Sequence, residues 1–141
     1  MSQVETSVVD GLNEHAPQFI KLLGGKVIEV DLEQQSCTFE FNIGHQLCHS
    51  VDIVQGGFVT AMLDATMSHS VFAMDRDIVN GATLEIKVSF YEASRAGRFR
   101  CVGKLCKIGR NIGFMEGELF NEAGQLTAAA TTTAKLVRSK N

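Results

Sequence analysis

The pattern of apolar and polar residues changes its period along the chain, and each change marks a new element. Residues 7–23 place apolar side chains at steps of three and four, which predicts an amphipathic surface helix ending at Gly24–Gly25. From Val27 to Phe41 the period is two, which predicts two strands joined by a turn at Gln34–Gln35. Residues 54–74 are apolar on nearly every side and predict a buried helix.

Alternating segments dominate the second half of the chain and predict four further strands. In the first of them, Thr83 falls on the polar face with Glu85 and Lys87, opposite Leu84 and Ile86. The sequence NEAGQ joins the last two strands and places Gly124 where a turn needs a positive φ. The four predicted strands are residues 83–91, 98–108, 112–120 and 126–137.

The order of these elements predicts an α+β fold. A helix that is apolar all round must be covered all round, and a curved antiparallel sheet of six strands can wrap it. The segment at 7–23 would lie outside as a surface helix. At 141 residues, with 45% hydrophobic side chains, the chain fits one domain over residues 1–141.

Composition excludes several classes of function. The net charge is −3 and the Lys and Arg residues are scattered, so nucleic acid is not an expected partner. No window is long and apolar enough for a membrane span, and the first residues carry acids where a signal peptide has basic residues. The four cysteines lack a CxxC spacing and predict reduced thiols. We therefore expect a cytoplasmic protein.

The buried helix carries one carboxylate near its middle, at Asp64. Between Asp52 and Asp75 the only other ionisable side chain is His69, about 140° further round the helix, where packing or a polar contact is expected. Burying a lone carboxylate costs several kcal/mol unless it is paired or hydrogen-bonded. Asp64 is therefore a candidate catalytic acid, and the alternative is a structural carboxylate.

The start of the same helix is a candidate oxyanion site. Gln55 precedes Gly56 and Gly57, and unpaired amides at a helix start carry partial positive charge. The alternative is that the glycines only permit a tight turn. Gly56 and Asp64 are eight residues apart, or about 12 Å along the axis, so they cannot flank one reacting carbon from the same helix. If both serve one site, a second copy of the chain must supply one of them, which predicts at least a homodimer.

Together these residues resemble the hotdog-fold acyl-CoA thioesterases, specifically the phenylacetic acid degradation branch. The resemblance covers roughly residues 25–138 and rests on His49, the Gln55–Gly57 segment, Asp64, Thr83 and Gly109–Arg110. It implies a six-stranded antiparallel sheet around one long helix, and dimers that often stack into homotetramers. It also implies hydrolysis of an acyl-CoA thioester, with a medium-chain or aromatic acyl group, without metal or organic cofactor.

The resemblance also implies roles for five residues. Asp64 would be the general base or the nucleophile, and sequence leaves both open. Gly57 would supply the amide that polarises the carbonyl. Gln55 stands where many members have His, and it can only hydrogen-bond and orient. His49 stands where several relatives have Asn and would hold substrate or water, although His can also titrate near neutrality. Thr83 would position the attacking water.

Lys107, Gly109 and Arg110 lie between two predicted strands, and the resemblance assigns them to the phosphates of coenzyme A. A solvated hairpin with ordinary surface charges is the alternative. Metal is a weaker expectation, because His45, Cys48 and His49 lack a fourth partner. Glu116 and Glu118 share one strand face and are expected to be solvated.

Three functions remain open at this point. The first is an acyl-CoA thioesterase that directs water with Asp64. The second is a non-catalytic acyl-CoA binding protein on the same scaffold, in which Asp64 is structural and Gln55 marks lost chemistry. The third is a dehydratase of the related hotdog lineage, which the lack of a suitably spaced His partner for Asp64 disfavours.

Overall fold

A computed structural model describes residues 1–139. The elements, in chain order, are α1 (Gln3–Glu14), α2 (Gln18–Leu22), β1 (Lys26–Asp31), β2 (Ser36–Ile43), a short 3-10 turn (His45–Leu47), α3 (Gly56–Met74), β3 (Ile78–Phe90), β4 (Gly97–Ile108), β5 (Ile112–Asn121) and β6 (Leu126–Arg138). The strands form one antiparallel sheet in the order β1-β2-β4-β5-β6-β3. The predicted α+β architecture, a sheet wrapped around one long helix, is confirmed.

The N-terminal region forms two helices, so the prediction of one helix over residues 7–23 is wrong. Pro17 has no backbone N–H and disfavours helical geometry at the residue before it, which separates α1 from α2. The helix also begins earlier than predicted. Ser2 caps α1 by accepting a hydrogen bond from the backbone of Glu5, while the Glu5 side chain accepts one from Ser2 N–H.

Helix α3 packs against the concave face of the sheet and supplies much of the core. Gly103 on β4 permits the closest approach, because a Cβ there would lie 2.5 Å from the carbonyl oxygen of Thr66. The buried residues of α3 are Val59, Met62, Leu63, Ala65, Thr66, Met67, His69, Ser70, Val71 and Ala73. The prediction of a buried helix is therefore confirmed.

Strand β3 is longer and less regular than its sequence predicts. It starts at Ile78, five residues before the predicted Thr83, and it contains a register shift between Thr83 and Glu85. The extra residue at this bulge turns Thr83 toward α3, on the same face as Ile86, whose partner on β6 is the buried Thr132. Thr83 does not share a face with Glu85, so that part of the alternation prediction is wrong.

Two smaller predictions hold. The turn between β5 and β6 has a positive φ of 83° at Gly124, a conformation that costs glycine little. All four cysteines are unpaired. Within residues 1–139, no helix combines the length and hydropathy that a membrane crossing would need.

Candidate active site

Asp64 is half-buried and lies near the middle of α3, where Ala61 and Ser68 are also half-buried. Thr83 Oγ1 donates a hydrogen bond of 2.9 Å to Asp64 Oδ1. Asp64 Oδ2 has no protein partner within residues 1–139. The two residues open into a pocket of about 280 Å³. Its walls come from α2, α3 and the start of β3: Pro17, Phe19, Ala61, Ala65, Ser68, His69, Phe72, Asn80 and Gly81.

The bulge in β3 explains why Thr83 can reach Asp64. In a regular strand Thr83 would point to the outer face with Glu85, away from the helix. The register shift between these two residues reverses that direction. Bulges are enriched beside active sites because they re-aim single side chains in this way.

The start of α3 lies in a different environment. Gln55 is the N-cap residue, and its Oε1 accepts a hydrogen bond of 2.6 Å from Gly57 N–H. Gly57 N–H is therefore already paired within the chain. Gly56 N–H has no acceptor among residues 1–139, and it is the amide at this helix start that is left for an external oxygen.

His49 and Gly56 line the same pocket at the start of α3. The side chain of His49 is exposed, and this second pocket, of about 370 Å³, is also lined by Phe90. A backbone hydrogen bond of 3.0 Å from His49 N–H to the carbonyl of Ile53 fixes the loop before α3. The structure therefore brings His49 and Gly56 together, as it brings Asp64 and Thr83 together.

These two groups do not meet within one protomer. The pocket at Gly56 and the pocket at Asp64 share no lining residue. Eight residues of α3 separate Gly56 from Asp64, which is about 12 Å along the helix axis. One chain thus presents two half-sites, a carboxylate with a hydroxyl and an amide with an imidazole.

Lys107, Gly109 and Arg110 lie at the β4–β5 hairpin, at the sheet end where β3 begins. Ile112 on β5 pairs with Lys135 on β6, and Lys135 pairs with Ala82 on β3. The hairpin is therefore two strands away from the Thr83 region, or roughly 10 Å. Lys107 and Arg110 are exposed. The three residues are not in contact with either pocket described above.

Arg138 fixes this hairpin to the end of α3. Its guanidinium donates to the carbonyl oxygens of Gly109 and Arg110 at 3.1 and 2.7 Å, and to the carboxylates of Asp75 and Asp77 at 3.0 and 3.2 Å. The hydrogen bond from Arg138 holds the pKa of Asp75 below its ordinary value. Sequence reasoning missed this residue, because its partners lie more than 25 positions away along the chain.

The buried thiols are not nucleophiles. Burial raises the pKa of Cys37 and of Cys101 to about 12, so both remain protonated near neutrality. Within the described residues, His45, Cys48 and His49 do not form a group that could hold a metal ion.

The fold and these half-sites place the chain in a known class. Residues 52–128 match the thioesterase superfamily, and this segment is more than half of the 141-residue chain. The protein belongs to that superfamily. The matched segment contains the start of α3, Asp64 and Thr83.

Individual relatives agree with this assignment. A phenylacetic acid degradation-related protein from Ralstonia eutropha JMP134 is 33% identical, over 91% of this chain and 98% of that one, with a TM-score of 0.81. A candidate esterase from Saccharolobus solfataricus is 25% identical over 132 residues, 94% of this chain and 92% of that protein. The Escherichia coli PaaI protein from the phenylacetic acid degradation operon has a TM-score of 0.83, over 98% of this chain and 99% of that one; at 12% identity it supports the fold alone.

Proposed function

We propose that this protein is an acyl-CoA thioesterase that releases a medium-chain or aromatic acid and free coenzyme A. Superfamily membership supports thioester hydrolysis in general. The observation that carries the proposal is the half-buried Asp64, hydrogen-bonded to Thr83 and open to a pocket on an otherwise apolar helix. A half-buried carboxylate that is hydrogen-bonded and open to a pocket is a functional candidate.

The contacts of Asp64 indicate how it would act. Thr83 occupies Oδ1, which leaves Oδ2 to take a proton from water or to attack the carbonyl carbon itself. In the general-base route, water adds to the thioester carbonyl while its proton moves to Asp64. The tetrahedral intermediate then expels the coenzyme A thiolate, which takes that proton. In the nucleophilic route the Asp64 carboxylate adds to the thioester carbonyl, and the C–S bond breaks to release the coenzyme A thiolate and leave an acyl anhydride. Water then hydrolyses the anhydride, which releases the acid and regenerates the carboxylate, and the proton from water neutralises the thiolate. Neither route uses a metal or an organic cofactor.

The oxyanion would bind at the start of α3. The resemblance assigns this role to Gly57, but Gly57 N–H already donates to Gln55. We therefore assign the donor to Gly56 N–H, with Gln55 holding the helix start by its cap bond and His49 contacting substrate or water beside it.

This chemistry requires two copies of the chain, since one protomer keeps Asp64 and Gly56 in separate pockets. The open edge of β3 is a suitable interface. It has 13 residues, pairs only with β6 among the described strands, and exposes Val79, Leu84 and Phe90 at 62%, 59% and 54%. The other edge strand, β1, is closed by Asn13 of α1, whose side chain bonds both the N–H and the carbonyl of Val27. We propose a homodimer through β3, and a homotetramer built from such dimers.

Two further features support proposals for the binding of the coenzyme A phosphates and for the cellular compartment. Lys107 and Arg110 would pair with phosphate oxygens of coenzyme A, at a hairpin whose shape Arg138 fixes. The unpaired thiols favour a reducing compartment, and we propose the cytoplasm.

The proposal is tested with a panel of acyl-CoA esters and a thiol reagent that detects free coenzyme A. The wild-type protein should turn over at least one ester, and Asp64→Ala should abolish turnover while binding of that ester, followed by calorimetry, persists. Thr131→Ala, an exposed change on β6, is the control and should leave turnover intact. Equal slow release in wild type and Asp64→Ala would contradict the proposal.

A non-catalytic acyl-CoA binding protein is the second candidate. The hydrogen bond between Gln55 and Gly57 favours this second candidate. The side-chain amide of Gln55 is neutral and stands where many family members have a titratable His, and it accepts from the backbone N–H of Gly57 at the start of α3. Tight binding of acyl-CoA with no turnover across the panel would support this alternative.

A further inference from the structure

The bulge in β3 depends on a single extra residue. The register between β3 and β6 skips Leu84, which lies between Thr83 and Glu85 and has no partner on β6. If Leu84 joined the ladder, every residue before it would move to the other face of the strand, and Thr83 would turn away from α3. The hydrogen bond from Thr83 to Asp64 therefore requires that the bulge stay where it is.

Thr132 on β6 makes a side-chain hydrogen bond to this bulge. Its Oγ1 donates at 2.7 Å to the carbonyl oxygen of Glu85, the residue that follows the extra one. Only 5% of Thr132 is exposed, and a hydroxyl buried to this extent needs a partner inside the protein. The partner is the backbone of β3 next to the point where its regular pairing with β6 is interrupted.

The position of this contact makes it suited to holding the bulge. In one protomer β3 is an edge strand, so β6 is the strand that sets its register. Among residues 1–139, the bond from Thr132 is the side-chain hydrogen bond that joins β6 to β3. Thr127, the other deeply buried threonine of β6, has its side-chain contacts with Leu119 and Ser94 instead.

We infer that Thr132 is a positioning residue for the candidate active site, because it fixes the bulge that aims Thr83 at Asp64. This inference rests on the proposed thioesterase function. Thr132 is not among the described residues that line the Asp64 pocket, so it acts through Thr83 and does not touch the substrate. Its bond to the Glu85 carbonyl holds the bulge, and the bulge holds the Thr83 side chain on the face that meets α3.

An effect that passes through Thr83 should be visible as coupling between two substitutions. Thr132→Val removes the hydroxyl and keeps the branched shape of the side chain. We expect kcat to fall about fivefold with little change in KM, since the carboxylate loses orientation while the substrate contacts stay. In the Thr83→Val protein there is no bond to Asp64 left to position. Adding Thr132→Val to it should therefore change kcat little.

The test measures kcat and KM of the single and double variants with the best acyl-CoA ester. Thr132→Ser keeps a hydroxyl and should retain most of the wild-type kcat. Thr133→Val is the matched control, because it makes the same change at the next residue of β6, on the opposite face of the strand. A merely structural effect of Thr132→Val would lower kcat by the same factor whether or not Thr83 is present.

A second measurement needs no turnover. In the free wild-type protein, nuclear Overhauser effects should join the side chain of Thr83 to α3. These signals should weaken in Thr132→Val, and they should persist in Thr132→Ser and Thr133→Val.

The outcomes separate this inference from the proposed function. A wild-type kcat in Thr132→Val, an undiminished second loss in the double variant, or unchanged Thr83 signals in Thr132→Val would overturn the role of Thr132 while turnover persists. Absence of turnover in the wild type would contradict the proposed function, and the Thr83 signals would then decide the inference alone. If Thr132→Val does not fold, Thr132→Ala takes its place in both measurements.

Discussion

The chemistry of Asp64 depends on which of its two oxygens is occupied. Thr83 donates to Oδ1 at 2.9 Å and lies on a strand whose bulge aims it at the helix. Such a bond restrains the carboxylate, and Oδ2 has no protein partner within residues 1–139. We therefore propose that Thr83 is a positioning residue for Asp64.

Replacing Thr83 by Val removes this hydrogen bond and keeps the branched shape of the side chain. We expect kcat for the best acyl-CoA to fall about tenfold with little change in KM, because Asp64 loses its orientation rather than its charge. Thr83→Ser should restore most of the activity. Thr131→Val, on the exposed face of β6, controls for the substitution itself, and equal kcat in both Val variants would contradict the role of Thr83.

Sequence predicted the identity of these residues better than their geometry. Asp64 stood out because it is the only acid between Asp52 and Asp75, and this anomaly depends on composition alone. The contact of Thr83 with Asp64 depends on a bulge, and nothing in the alternation of residues 83–91 predicts one. The edge contacts of the His69 ring with Phe39 and Phe72 also depend on the tertiary structure.

At the scale of elements, the two ends of helix α3 differ: its start has an unpaired backbone N–H, and its end is held by contacts with Arg138. Its start presents the unpaired N–H of Gly56, preceded by Gln55 in an extended conformation with φ −61° and ψ 137°. That conformation suits a residue before proline, and the first helical position tolerates proline well because its N–H has no partner in the helix.

Gly56→Pro should therefore delete the proposed oxyanion donor without unfolding the helix. We expect an unchanged or raised melting temperature and a fall in kcat of about 10²–10³-fold. Activity assays combined with thermal unfolding measure both effects. Gly56→Ala is the matched control, since it keeps the N–H and its Cβ would lie at an ordinary 3.5 Å from the Phe90 ring. A fully active Gly56→Pro protein would return the donor role to Gly57.

The other end of α3 is stabilised by the contacts of Arg138 with Asp75, Asp77 and the β4–β5 hairpin. The pKa of Asp75 is lowered in the folded protein by its hydrogen bond with Arg138. A carboxyl group whose pKa is lower in the folded than in the unfolded protein stabilises the fold fully above its unfolded pKa, which is about 4 for Asp. This stabilisation is lost as the pH falls through the pKa of the folded protein.

Arg138→Met should consequently lower the melting temperature by a few degrees at pH 7, and the difference from wild type should shrink as pH falls below about 4. Lys135→Met, a neighbouring exposed charge on β6, serves as the control. Thermal unfolding of the three proteins across this pH range gives the measurement. A difference that stays constant with pH would show that Arg138 acts through its carbonyl contacts alone.

The element boundaries show what periodicity can and cannot predict. The positions of β4, β5 and β6 follow from long alternating runs, and the position of α3 follows from a long run that is apolar on nearly every side. The break between α1 and α2 depends on one residue, Pro17, whose effect on the preceding residue outweighs the helical spacing around it. The early start of β3 depends on pairing with β6, because the segment from Ile78 to Ala82 does not alternate.

At the scale of the whole molecule, residues 1–139 present two separate candidate half-sites and the long exposed edge of β3. Asp64 with Thr83 and Gly56 with His49 lie in separate pockets of the same chain, while β3 exposes its edge for 13 residues. A two-fold axis relating two β3 strands would form one interface with two equivalent sites, each able to combine an acid from one copy with an amide from the other. Neither half-site is sufficient for the proposed hydrolysis.

Mixing two inactive variants tests this arrangement directly. Asp64→Asn and Gly56→Pro should each be nearly inactive, but a dimer containing one of each has one site with both Asp64 and Gly56 intact and one with neither. Co-expression or joint refolding in equal amounts makes about half of the dimers mixed, so about one quarter of the wild-type activity should return. A mixture of Asp64→Asn with Asp64→Ala is the control and should stay inactive. If both groups acted within one protomer, every site in the mixed dimer would lack one of them, and no activity would return.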